Sequence, residues 1–137
     1  MAYVAAVRIN LRYNRFIDQN RRTPNDNEIL EIARWAWWGI RRYSLIFACV
    51  DGTVRGVYNV DEWFRCGEAR NRPELRPYAP EGSVRWNEIE NDINENRRYA
   101  FIGHRAPCAD QFIGTPAPTF NPRNPVTWTQ VNIIGNL

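Results

Sequence analysis

The sequence contains no lysine: all 18 of its basic residues are arginine. An arginine side chain carries a planar fork of donors that fits phosphates and guanine edges, and it also stacks on aromatic rings. With six tryptophans in the chain, an arginine-only set of cations favours contact with nucleic acid. Codon bias in the source genome, or selection against lysine modification, explains the absence equally well and has no bearing on a ligand.

Long apolar runs are also missing. The longest, residues 45–50, is far short of the roughly 20 residues that a membrane helix needs. The N-terminus lacks the apolar core of a signal peptide. The three cysteines are odd in number and widely spaced, which suggests neither a disulfide framework nor a zinc motif. We therefore expect a cytoplasmic protein with free thiols and no membrane contact.

The length of 137 residues, with 44% hydrophobic and 24% charged residues, is typical of one globular domain over residues 1–137. Local patterns predict a strand at 3–10, an exposed polar loop at 12–22, and a helix that begins at Thr23-Pro24 or at the Asn25/Glu28 capping box. Gly39 marks the predicted helix end. The helical phase buries Trp37 and leaves Trp35 and Trp38 least buried.

Further along the chain, Asp51-Gly52 predicts a tight hairpin between strands at 43–50 and 53–60. We expect a surface loop at 67–82, an amphipathic helix at 84–96, a strand at 97–103, a helical turn at 107–112, a connection at 115–125 and a last strand at 126–134. This order predicts an α+β fold with one main helix, one or two short helices, and a small mixed or antiparallel sheet curled into a barrel.

Several motifs occur in a characteristic order: VRIN at 7–10, ARW at 33–35, YSLIFACVDGTVRGVYNVDEWF at 43–64 and RRYAFIG at 97–103. The order resembles a small bacterial and phage domain that is also appended to GIY-YIG endonucleases and is similar to the PUA-like superfamily (PUA, ASCH, EVE and YTH domains). The resemblance spans about residues 4–128. It implies a pseudo-barrel that binds RNA or DNA, in some members with a modified or flipped base in an aromatic pocket. Nuclease activity is not implied, because the GIY-YIG catalytic module is missing.

Candidate catalytic patterns are incomplete. His104 is the only histidine and has one nearby cysteine, Cys108, so a zinc site is two ligands short. The Pro107-Cys108 pair lacks the Glu and the second cysteine of a zinc deaminase. A nucleophile at Cys108 or Ser44 has no activating context, and no glycine pattern matches a phosphate-binding loop. We therefore expect a protein that is not an enzyme, with no metal and no cofactor.

Arginines beside aromatics are the positive signal, because stacking on bases and neutralising phosphates requires both. The predicted nucleic-acid site consists of Arg34, Trp35, Arg41, Arg42, Trp63 and Arg98. The alternative is a protein-interaction or inhibitor module, for example in conflict between phage and host, since Trp and Arg are also enriched in protein interfaces. We expect a DNA or RNA partner, or a protein partner in the alternative, and a monomer or homodimer.

Overall fold

The computed structural model describes residues 2–35, 37 and 43–136. Within these ranges the strands are Ala2–Arg8 (β1), Leu45–Val50 (β2), Thr53–Arg65 (β3), Tyr99–Arg105 (β4) and Val126–Val131 (β5). The α-helices are Asn10–Asn20 (α1), Asp26–Arg34 (α2), Val84–Asn91 (α3), Ile93–Arg97 (α4) and Ala109–Phe112 (α5), and two 3-10 helices span Cys66–Arg70 and Pro73–Leu75. In the part of the chain so described, no helix is both long and apolar enough to cross a bilayer.

The strands form one mixed sheet in the order β4-β3-β2-β1-β5, with β1 and β2 parallel and the other pairs antiparallel. This confirms the α+β class and the small mixed sheet. The sheet is not closed into the expected barrel: β4 and β5 are its two edges. The outer edge of β4 is partly occupied instead: the Trp37 carbonyl accepts from the Tyr99 N–H, and Arg34 donates to the Phe101 carbonyl.

The hairpin between β2 and β3 is confirmed. Asp51 and Gly52 have φ angles of 48° and 77°, the positive values that a tight two-residue turn between twisted strands requires. Strand β3 is longer than predicted, because it continues to Arg65 past an irregularity between Val60 and Glu62. Its first half, 53–59, pairs with β2, and its second half, 58–65, pairs with β4.

The exposed loop predicted at 12–22 is wrong, because α1 occupies most of it. Tyr13, Phe16 and Ile17 recur at helical spacing and are each partly buried, and Tyr13 packs against the core beneath α2. The narrow apolar stripe is difficult to recognise in the sequence, because the residues around it are mostly Asn and Arg, and Asn disfavours a helix. The first strand accordingly ends at Arg8, and the single main helix of the prediction has a companion of similar length.

The capping box at Asn25 is confirmed. The Glu28 N–H donates to Asn25 Oδ1 over 2.9 Å, and the Asn25 N–H donates back to Glu28 Oε1 over 3.0 Å. The helix ends at Arg34, earlier than predicted, and Gly39 lies outside the described residues. Because the helical phase stops there, the prediction that Trp35 is among the least buried tryptophans is wrong.

The surface loop predicted at 67–82 is also wrong. It contains both 3-10 helices, and its buried Ala69, Leu75 and Ala79 pack with Trp35 and Phe64 in a core cluster of their own. The helix predicted at 84–96 is divided into α3 and α4 by Asp92, whose backbone is extended. The strand β4, the helical turn α5 and the strand β5 lie where the sequence predicts them, within a few residues.

Two further clusters cover the faces of the sheet. One lies beneath α2 and includes Trp37, which is fully buried as predicted, with Tyr58 and Phe101. The other lies on the opposite face, where α5 and the residues after it cover Phe47 and Val57. The sheet is therefore buried on both faces near its centre.

The buried Tyr58 gives the fold a defined response to high pH. Its hydroxyl donates to the Asp26 carbonyl over 2.9 Å, and burial, together with the Asp26 charge, raises the pKa of Tyr58 above its ordinary value. A raised pKa means that the contribution to stability is complete below the unfolded pKa of about 10 and is lost as pH rises above it.

We therefore expect the free energy of unfolding to fall from about pH 9 to 11, and to fall less steeply in Tyr58→Phe. At neutral pH this variant loses about 1 kcal/mol, the worth of one hydrogen bond. Urea titrations at both pH values measure the two slopes. If the free energy of unfolding fell equally steeply with pH in the wild type and in Tyr58→Phe, Tyr58 would not be the group responsible.

Candidate nucleic-acid interface

Arg34, predicted to contact phosphate, is a buried structural residue. Only 5% of it is exposed. Its Nη1 donates to the Phe101 carbonyl and its Nε to Glu31, both over 2.8 Å, while its guanidinium lies 4.2 Å from the centre of the Tyr78 ring. The side chain therefore joins α2 to the outer edge of β4 and has little surface for a ligand.

Trp35 is 3% exposed and is also held within the fold. Its Nε1 donates to Glu31 over 2.8 Å, and its ring makes an edge contact with Phe64 at 5.8 Å between centroids. The Arg85 guanidinium lies 5.0 Å from the ring centre. A base therefore has no free tryptophan face to stack on here.

The remaining predicted residues are dispersed. Trp63 is half-buried, contacts Trp37 and Phe101 in the cluster beneath α2, and donates to the Tyr43 carbonyl. Arg98 is half-buried just before β4. Arg41 and Arg42 lie outside the described residues. The predicted set is thus not one surface: Trp63 lies on the α2 face, while Trp35 belongs to the separate cluster with Phe64.

Other arginine and aromatic pairs also serve the fold. Arg76 donates to the carbonyls of Ala69 and Arg70 and lies 4.4 Å from the centre of the Trp86 ring. Arg72 bridges Glu62 and Glu74. An arginine side chain can stack on a ring while it donates hydrogen bonds and pairs with a carboxylate. The high arginine content of the chain therefore serves internal packing to a large degree.

A groove of about 460 Å³ lies between α1, α2 and α3. Three carboxylates line it, Glu28, Glu31 and Glu88, and each is paired with an arginine. Arg22 and a backbone N–H hold the pKa of Glu28 at about 2. With Arg12 and Arg85 as its lining cations, the groove does not offer the concentrated positive charge that a phosphate backbone requires.

Exposed aromatic rings occur elsewhere, where no site was predicted. Tyr3 on β1 is 54% exposed and Trp128 on β5 is 58% exposed. Their ring centroids are 6.0 Å apart, and Tyr43 lies 6.4 Å from Tyr3 on the other side. We call these three residues the aromatic patch.

The aromatic patch shares the sheet face of α2. Trp128 lies opposite Ala5 in the pairing of β1 with β5, and Ala5 packs in the cluster beneath α2. Tyr3 is two residues from Ala5 on the same strand. Tyr3 and Trp128 therefore point to the same face as Ala5. The segments that carry the patch, residues 2–9, 43–50 and 124–136, contain no acidic residue. Arg41 and Arg42 directly precede Tyr43 in the sequence.

Nucleophilic and metal-binding groups do not converge in the described part of the chain. No three His, Cys, Asp or Glu side chains there are grouped as metal ligands would be. The cysteines are buried, and burial raises the pKa of Cys49 to about 12 and also raises that of Cys108, which disfavours the reactive thiolate. His104 Nδ1 is 3.1 Å from Asp61 in an exposed pair.

Comparison with known proteins adds no relationship. No family model, no curated protein sequence and no solved structure matches this chain.

Proposed function

We propose that the protein binds nucleic acid by stacking unpaired or flipped bases on the aromatic patch. The observation that carries the proposal is three contacting rings, two of them more than half exposed, on segments without acidic residues. A planar base stacks on exposed rings of this kind with about 1–3 kcal/mol per base. The net charge of +3 and the absence of acidic residues from the segments that carry the patch keep repulsion of phosphates low.

Phosphate contacts in this proposal come from Arg41 and Arg42, because they adjoin Tyr43 in the sequence. The proposed interface therefore does not include Arg34 and Trp35, because their side chains are buried and bound within the fold. The PUA-like relationship stays a prediction, and the proposal does not depend on it.

Fluorescence anisotropy with labelled single- and double-stranded DNA and RNA at two salt concentrations tests the proposal. Trp128→Ala and Tyr3→Ala are expected to weaken binding roughly 5- to 150-fold each, the equivalent of about 1–3 kcal/mol. The double change Arg41→Ala/Arg42→Ala is expected to lower the slope of log affinity against log salt by about 2. Single strands are expected to bind more tightly than duplexes.

Leu11→Ala is the matched control, because Leu11 is an exposed apolar residue on α1, beyond the other end of β1. Its binding is expected to equal that of the wild type. Absence of binding to every polymer at low salt, or patch variants that bind like the wild type, would overturn the proposal.

A protein-interaction module is the second candidate, and the exposed Trp128 favours it, because tryptophan is enriched at interface hot spots. The same titration separates the two functions. Binding to phosphates weakens steeply with salt through release of counterions, whereas an aromatic protein interface is far less sensitive.

A further inference from the structure

The outer edge of β5 carries unpaired backbone groups. The Arg8 N–H donates to the Pro125 carbonyl, and hydrogen-bonded pairs alternate along an antiparallel ladder. In the observed register Thr127 and Thr129 therefore bond to β1, while the N–H and C=O of Trp128 and Gln130 point away from it. No described residue pairs with these outward groups, and the outward N–H of Val126 is already bound to Asn124 Oδ1.

The other edge of the sheet is protected at two positions. The Tyr99 N–H on the outer edge of β4 donates to the Trp37 carbonyl over 2.8 Å, and the Phe101 carbonyl accepts from Arg34. Charged side chains are a common further protection of edge strands, and β5 has none. Residues 124–136 contain no charged residue at all, in a chain with 24% charged residues. Proline is also absent from 126–131.

We propose that β5 pairs in antiparallel fashion with β5 of a second copy of this chain, so that two five-stranded sheets become continuous. With the two-fold axis at Thr129, Trp128 of each copy faces Gln130 of the other, and the outward groups form about four backbone hydrogen bonds. A register centred on Trp128 would engage the Val126 N–H, which Asn124 already occupies.

A second copy fits this edge for reasons of charge and symmetry. An uncharged strand that pairs with itself places no like charges opposite each other. The same patch serves on both sides of a two-fold interface, so the contact closes. The two Trp128 side chains point to one face of the continuous sheet, within diagonal reach of each other, and add apolar contact to the backbone bonds.

Sedimentation equilibrium over a series of protein concentrations, without nucleic acid, tests the proposal independently of the proposed function. The wild type is expected to shift from monomer to dimer with concentration. Gln130→Pro removes an outward N–H but no ladder bond to β1, and it is expected to stay monomeric at concentrations that give the wild-type dimer. Gln130→Val retains the N–H and the lack of charge, and it is expected to dimerise.

Amide hydrogen exchange locates the contact in the wild type. The Trp128 and Gln130 amides are expected to gain protection as the concentration rises, while the Thr127 and Thr129 amides are protected throughout. If Gln130→Pro fails to fold, Gln130→Lys gives a second test, because two added charges near the axis are expected to prevent dimers at low salt. A wild type that remains monomeric with fast exchange at Trp128 and Gln130, or folded Pro and Lys variants that dimerise normally, would overturn the proposal.

Discussion

Replacing Arg34 with alanine is expected to lower the free energy of unfolding by about 2–4 kcal/mol, although the residue is a cation on a helix. The guanidinium is buried, so its loss leaves the Phe101 carbonyl without its donor, removes one of the two partners of Glu31 and opens a space beside Tyr78. This side chain therefore links α2 to β4, in addition to the apolar packing of α2 on Phe101. Urea unfolding monitored by circular dichroism measures the loss.

Two controls accompany this variant. Arg34→Lys retains the charge but cannot fork between two acceptors and stack at once, and it is expected to recover less than half of the loss. Arg15→Ala, on the exposed side of α1, is expected to change stability by less than about 0.5 kcal/mol. A loss below about 1 kcal/mol for Arg34→Ala would contradict this structural role of the side chain.

Adding a methyl group at Gly103 is expected to destabilise the protein by about 2–4 kcal/mol. A Cβ at this position would collide with the backbone oxygen of Asn59 and would press on the Phe101 ring. A backbone oxygen cannot move aside as a flexible side chain can, so the β3–β4 ladder must open near its irregularity at Val60. Thermal unfolding of Gly103→Ala compared with the wild type measures the effect.

Gly52→Ala is the matched control for this prediction. Gly52 has a φ of 77° but open space where a Cβ would stand, so only the strain of a left-handed residue is added, about 1 kcal/mol. If both variants lost the same stability, contact with the Asn59 backbone would not be the cause at Gly103.

The elements that the sequence predicts well are those specified by adjacent residues. Asp51 and Gly52 are sufficient for the hairpin turn, and Asn25 and Glu28 for the start of α2, because each pair acts within a few residues. Trp35 shows where this reasoning stops. It lies one residue beyond the end of α2, so its burial depends on Phe64 and Arg85 rather than on helical phase.

The candidate site was beyond prediction for the same reason. Tyr3 and Trp128 come together only because β1 and β5 pair, across more than a hundred intervening residues. The alternation of side chains places each of them on one face of its strand, but no local signal gives the strand order or the register. The burial of Arg34 was equally hidden from the sequence: its partner Glu31 is nearby, but the Phe101 carbonyl and the Tyr78 ring are distant in sequence.

The blocked outer edge of β4 limits how far pairing between sheets can proceed. A sheet with two open edges can add strands at both ends and grow into fibrils. Here Trp37 and Arg34 bind the Tyr99 N–H and the Phe101 carbonyl on the outer edge of β4, so a further strand cannot pair at these two positions. A pair formed at β5 uses the open edge of each molecule and leaves at its two ends β4 strands that are blocked at these positions, which opposes growth beyond two copies.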